Sequence, residues 1–130
     1  MTDRTARPVF EPAALKRFDG ADDLHVSPFR EDGATYGTPT WIWNVLVDGR
    51  LFVRAYNGPR SRWYRAAMNQ GAGRIRLADE TLEVTFAAAP AELADHIDAA
   101  YREKYAGSPY LAPMLASGPR TAAVEISPAT

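Results

Sequence analysis

Two runs of β-forming residues joined by Asp-Gly most constrain what this chain can fold into. TWIWNVLV (Thr40–Val47) is dense in aromatic and β-branched side chains. Asp48-Gly49 is a dipeptide that readily takes the left-handed conformations of a tight hairpin turn, and RLFVRAY (Arg50–Tyr56) is the return strand. The hairpin predicts an antiparallel sheet at the centre of the fold. Its first strand is apolar on both faces, with Trp41, Trp43, Val45 and Val47 on one and Ile42 and Leu46 on the other. A strand with one wet face alternates instead. Two apolar faces need two partners, and one of them can be a second copy of the chain, so a homodimer is expected.

The flanking segments extend the same pattern. LHVSPF reads as a short strand weakened by Pro28. GRIRLA sets Ile75 and Leu77 against Arg74 and Arg76, and TLEVTF turns Leu82, Val84 and Phe86 inward, with the tight turn ADE between them. RTAAVEIS is a final strand with Ala122, Val124 and Ile126 on one face. EPAALKRF (Glu11–Phe18) reads as a short helix, with Pro12 near its start and Gly20 beyond its end. The strongest helix signal is PAELADHIDAAYREKYAG: Pro90 in the first turn, acids early, bases late, Gly107 as the stop. Leu93, Ile97, Tyr101 and Tyr105 form its buried stripe. A further short helix is expected in SPYLAPMLA. Residues 1–10 read as a frayed leader and 11–130 as a single α+β domain, a small antiparallel barrel of about six strands made from a meander, a helix and a last strand.

Composition removes several function classes. No cysteine is present, which excludes disulfides, thiolate metal sites and a cysteine nucleophile. His25 and His96 lack ligand-like spacing, so no metal is expected, and Asp95 and Asp98 read as surface charge on the long helix. No stretch approaches the roughly 18 apolar residues of a membrane span, and the start lacks the apolar run of a signal peptide, which leaves the cytoplasm as the simplest location. A net charge of -1 argues against a general nucleic-acid binder.

That near-neutral total contains a local imbalance. Between Gly49 and Ala78 lie seven arginines and no acid. Within that span, AYNGPRSRW leads from the return strand through a turn into a helix that Ser61 can cap, running to about Asn69 and closed by Gly71. Free backbone N–H groups and the helix dipole favour an anion at such a start. Ser61 adds a hydroxyl, Arg62 a bidentate fork, and Arg54 a second cation from the strand. The arrangement predicts a phosphate pocket beside Trp63 and Tyr64, while Arg74 and Arg76 read as a solvated strand face. With few acid–base groups in the chain, a bound cofactor is the expected carrier of any chemistry.

The run TPTWIWNVLVDGRLFVRAYNGPRSRWYRAAM, with AAYREKYAGSPYLAPMLASGPRTAAVEISP near the C-terminus, resembles an uncharacterised bacterial family within the split β-barrel superfamily. That superfamily holds pyridoxamine-phosphate oxidase-like and deazaflavin-dependent nitroreductase-like proteins. The resemblance covers roughly residues 36–128 and implies a homodimeric split β-barrel with flanking helices. It further implies that FMN or an 8-hydroxy-5-deazaflavin coenzyme lies at the subunit interface and that hydride passes to or from a small organic substrate. On that implication Thr38 and Thr40 lie beside the ring, and Arg54, Ser61 and Arg62 hold the phosphate. Trp63 packs near the ring or ribityl chain, and Tyr101, Lys104 and Tyr105 line the rim. Oxidases of the group carry a lysine where this chain has Trp63, so the missing cation falls to Arg54 or Arg65. A non-enzymatic ligand-binding protein of the same fold is the alternative expectation.

Overall fold

The computed structural model describes residues 9–129. Their sheet is built from β1 (His25–Pro28), β2 (Thr40–Trp41), β3 (Asn44–Val47), β4 (Arg50–Arg54), β5 (Ala72–Leu77), β6 (Glu80–Ala88) and β7 (Ala123–Pro128). All pairings are antiparallel, in the order β2-β1-β5-β6-β7-β4-β3. The two end strands are neighbours in the chain, separated only by Ile42 and Trp43, so the sheet must curl until its ends meet. The result is a half-barrel, α+β as expected.

The sheet has seven strands where the sequence suggests about six, because Thr40–Val47 is two strands. At the break Ile42 donates its amide to the Leu24 carbonyl at 3.0 Å, while the Trp43 carbonyl accepts from the Tyr101 hydroxyl at 3.4 Å. One residue is drawn into the barrel and the next out against a helix. Nor is the sheet a simple meander, since β1 pairs with β5 and β7 inserts between β6 and β4.

Local chemistry places the turns. Asp48 and Gly49 both have positive φ (53° and 73°) and close β3–β4 in the register Val47↔Arg50. Ala78 and Asp79 do the same for β5–β6 (53° and 63°) without a glycine, at a cost in backbone strain. The Asp23 carboxylate offsets it by accepting the Ala78 amide at 3.0 Å. Gly73 is required by close approach: a Cβ there would lie 2.5 Å from the Ser27 carbonyl oxygen on the paired strand.

The helices α1 (Pro12–Asp19), α2 (Arg62–Gln70), α3 (Ala94–Lys104), α4 (Leu111–Met114) and α5 (Ser117–Thr121) cover the sheet, and α5 was not foreseen from sequence. Inside the curl Val26, Leu51, Val53, Ile75, Leu77, Val84, Phe86, Val124 and Ile126 form the main core, packed with Phe18 of α1 and Ala67 of α2. A second core lies outside the curl, where Trp43, Val45, Val47 and Phe52 meet Ile97, Tyr101 and Tyr105 of the α3 segment. The expected helical stripe is thus buried, with Leu93 packed at its edge. Both apolar faces of the 42–47 segment are covered within one chain, which removes the sequence argument for a second subunit at that strand. Residues 1–8 of the expected frayed leader lie outside the described residues. Phe10 does not fit a frayed leader: it is buried with its ring edge-on to Phe18 at 5.2 Å.

Candidate ligand-binding site

The seven clustered arginines separate in space. Alternation along β4 sends Leu51 and Val53 into the barrel and Phe52 and Arg54 outward toward α3. Arg54 is fully buried. Its Nη1 donates to Asp98 Oδ1 at 2.5 Å and to the Met114 carbonyl at 3.4 Å, and its Nη2 donates to the Ala94 carbonyl at 3.0 Å. The guanidinium lies 5.4 Å from the Tyr101 ring centroid. The second Asp98 oxygen accepts from Arg120, whose other nitrogen reaches Asp95 at 3.2 Å. Asp98 is therefore a buried partner and not the surface charge expected from sequence. Arg50 is likewise engaged, by a bidentate pair with Glu125 at 2.8–2.9 Å. Arg74 lies over the Tyr36 ring at 4.0 Å, and Arg76 is exposed.

A cavity of about 330 Å³ opens where β4 ends. Trp41, Ile42 and Trp43 of the strand crossover form one wall, and Arg54 and Tyr56 another. Tyr110 and Met114, from the segment after α3, close the third side. Trp43 is fixed by face-to-face stacking on Tyr105, with centroids 3.9 Å apart and planes 6° apart. Trp41 is held by its indole N–H, which donates to the Asp22 carbonyl at 2.8 Å. Trp41, Tyr56 and Tyr110 stand at the mouth with 54%, 41% and 61% of their surfaces exposed, an unusual concentration of open aromatic surface. The volume lies at the lower end of the roughly 300–1,000 Å³ typical of small-molecule sites.

The other residues expected around a cofactor fall elsewhere. Ser61 precedes α2, but its side chain makes no capping bond. Arg62 and Arg65 face a second, larger cleft of about 650 Å³ with Arg30, Glu31, Asp32, Asn69 and Gln70. Arg54 and Arg62 thus line different cavities, and the single grip expected from Arg54, Ser61 and Arg62 is not assembled. Trp63 packs against the barrel core. Thr38 is exposed, and Thr40 turns its hydroxyl back to the Thr38 carbonyl at 3.2 Å.

Tyr101, Lys104 and Tyr105 brace the fold behind the cavity and do not line it. Lys104 Nζ donates to the Ala21 carbonyl (2.8 Å), Asn44 Oδ1 (3.0 Å) and the Phe18 carbonyl (3.3 Å), tying α3 to the end of α1. Burial pulls its pKa down, opposed by the charges of Asp19 and Asp22. The Tyr105 hydroxyl donates to Asp22 at 2.9 Å and accepts the Asn44 amide at 3.2 Å. Burial pushes both tyrosine hydroxyls well above their usual pKa, so both remain neutral donors.

Sequence reasoning missed Tyr56, Tyr110, Met114 and Asp98 as members of this region. Asp98 alone carried a signal: it follows Ile97 and precedes Tyr101 by three, on the flank of the buried stripe.

The second cleft is rimmed by a self-contained loop with its own pH response. Asp32 accepts the Ala34 and Thr35 amides at 2.9 Å and the Thr35 hydroxyl at 2.7 Å. These bonds, the backbone ones first, lower its pKa from 3.8 to about 2. A depressed carboxylate contributes stability that is complete above its unfolded pKa and lost as pH falls through the folded one. The loop should therefore hold its bonds at pH 4 and release them as the pH falls through about 2. An NMR titration should place the Asp32 carboxyl midpoint near that lower value, and a midpoint near 4 would contradict these bonds.

Among the described residues no group of three or more His, Cys, Asp or Glu is placed to hold a metal ion, and no helix is long and apolar enough to cross a membrane. The fold is similar to the crystal structure of the conserved hypothetical protein Rv2991 from Mycobacterium tuberculosis, with a TM-score of 0.57 and 16% identity, covering 96% of this chain and 83% of that one. No curated protein matches the sequence. The family pattern that matches covers residues 14–126, and the chain belongs to that family, DUF2255, of uncharacterised proteins conserved in bacteria.

Proposed function

We propose that this protein is a split β-barrel that binds the ring of a flavin or deazaflavin in the aromatic cavity and serves hydride transfer to or from a small organic substrate. The observation that carries the reading is the cavity itself: flat aromatic walls from Trp41, Trp43, Tyr56 and Tyr110, with one guanidinium among them. Aromatic side chains favour a planar ring by stacking and edge contacts. The bound ring supplies the hydride chemistry, and the protein's task is to orient it and exclude water. The Arg54 Nη atoms are taken by Asp98 and by the Ala94 and Met114 carbonyls, so a cofactor phosphate is left to cations outside this cavity, and Arg62 and Arg65 of the second cleft are the ones we assign to it. The exposed aromatic mouth is the surface a second copy would cover in a homodimer.

A second reading, binding without turnover, is favoured by one observation: among the described residues no Asp, Glu or His lines the cavity, which leaves it without a carboxylate or imidazole base.

Titrating the protein with FMN, riboflavin and an 8-hydroxy-5-deazaflavin, read by tryptophan quenching, tests the proposal. Binding of at least one is expected, weakened by Tyr110→Ala. Arg62→Ala should weaken FMN by roughly 10- to 150-fold, the effect of losing one charged hydrogen-bond partner. It should leave riboflavin almost unchanged, and Arg74→Ala should change neither. No quenching by any of the three would end the cofactor reading, while binding without turnover would leave the second.

A further inference from the structure

Behind the cavity one buried carboxylate serves two guanidiniums. Asp98 lies between two guanidiniums, those of Arg54 and Arg120, and it is the only buried carboxylate of the group. Arg120, itself a third exposed, also reaches the exposed Asp95, and solvent screens that contact. Asp98 thus gives only one of its two oxygens to Arg54, which stands beside an apolar cavity with its counter-charge shared. The same guanidinium keeps a free donor: Arg54 Nε is buried and makes no hydrogen bond. Buried polar groups are nearly always paired, and one that is not marks a place where a ligand group can bind. Among the described residues Arg54 is also the only charged one in the cavity wall.

We infer that the cavity selects planar rings carrying a negative charge on or beside the ring, as an aromatic carboxylate, phenolate or enolate does, and that Arg54 sets this preference. The ring lies among Trp41, Tyr56 and Tyr110, and its anionic edge faces the guanidinium. Met114, an unbranched and adaptable side chain, lines the same wall. The inference rests on the aromatic cavity being the binding site, and it adds what that site discriminates.

The test uses two probes with one ring system, naphthalene-2-carboxylate and naphthalene-2-carboxamide, titrated against the whole chain by tryptophan fluorescence. The acid should bind about tenfold or more tightly than the amide, the scale of one charge-assisted hydrogen bond. Arg54→Met, which leaves Asp98 paired with Arg120, should remove the preference while the amide still binds. Arg120→Gln lies outside the cavity and leaves the Asp98 charge to Arg54 alone, so it should narrow the preference several-fold. It carries the test if the Arg54 variant does not fold. Equal affinities for acid and amide in the unmodified protein, or a preference untouched by Arg120→Gln, overturn the inference. Binding of neither probe overturns it too, and the flavin titrations decide the cofactor reading separately.

Discussion

Asp98→Ala is expected to destabilise the protein by about 3–5 kcal/mol, the range for removing one partner of a buried ion pair. Total stabilities of such domains are only about 5–15 kcal/mol, so the variant should stand near the edge of folding. The cost comes from what remains: Arg54, fully buried, keeps its charge with only the Ala94 and Met114 carbonyls as acceptors. Removing both charges should be far milder. The double variant Arg54→Met with Asp98→Leu puts apolar groups where the pair lay, a change that is often near neutral. Urea denaturation of the single and double variants decides the matter. A single variant as stable as the parent would mean that Asp98 is solvated in solution and the buried triad is not formed.

Trp43→Ala carries the second large effect, about 3–5 kcal/mol for truncating a buried aromatic. Trp43 is the hinge between the two cores' connections: it stacks on Tyr105 and takes the Tyr101 hydroxyl on its carbonyl. Its loss also removes a cavity wall. Ring binding should therefore fall together with the thermal midpoint, whereas Tyr110→Ala, on an exposed residue, should weaken binding with little change in stability. If Trp43→Ala unfolds no more easily than the parent, the outer core contributes less than its burial implies.

The strands were legible because their residues alternate and their turns are chemically marked. Asp48-Gly49 announced one hairpin, and the Ile75/Leu77 and Val84/Phe86 alternation located the next. The break inside Thr40–Val47 was not legible. A run apolar on both faces looks the same whether it is one central strand or two strands flanking a crossover, and the partners that split it, Leu24 and Tyr101, are remote in sequence. The arginine cluster misled for the same reason. Seven cations without a nearby acid suggest a patch, yet Arg50 finds Glu125 and Arg54 finds Asp98 across the fold. The cavity could not be read at all. Tyr56 and Tyr110 bring their rings within 6.2 Å of each other from opposite sides of α3, and nothing in either segment points to the other.

The position of β7 has a consequence for how the protein is made. This strand comes last among the seven but lies near the middle of the sheet, with β6 on one side and β4 on the other. Without residues 123–128 the sheet divides into two fragments with no strand pairing between them, β2-β1-β5-β6 and β4-β3, each with an open edge. Unpaired edges in half-made chains invite association with other chains. Joining β7 to β4 requires contacts between residues 69 to 75 positions apart, Leu51 with Ile126 the most distant, which slows folding. The complete half-barrel therefore requires its last strand, and until that strand is present the edges of β6 and β4 have no partner.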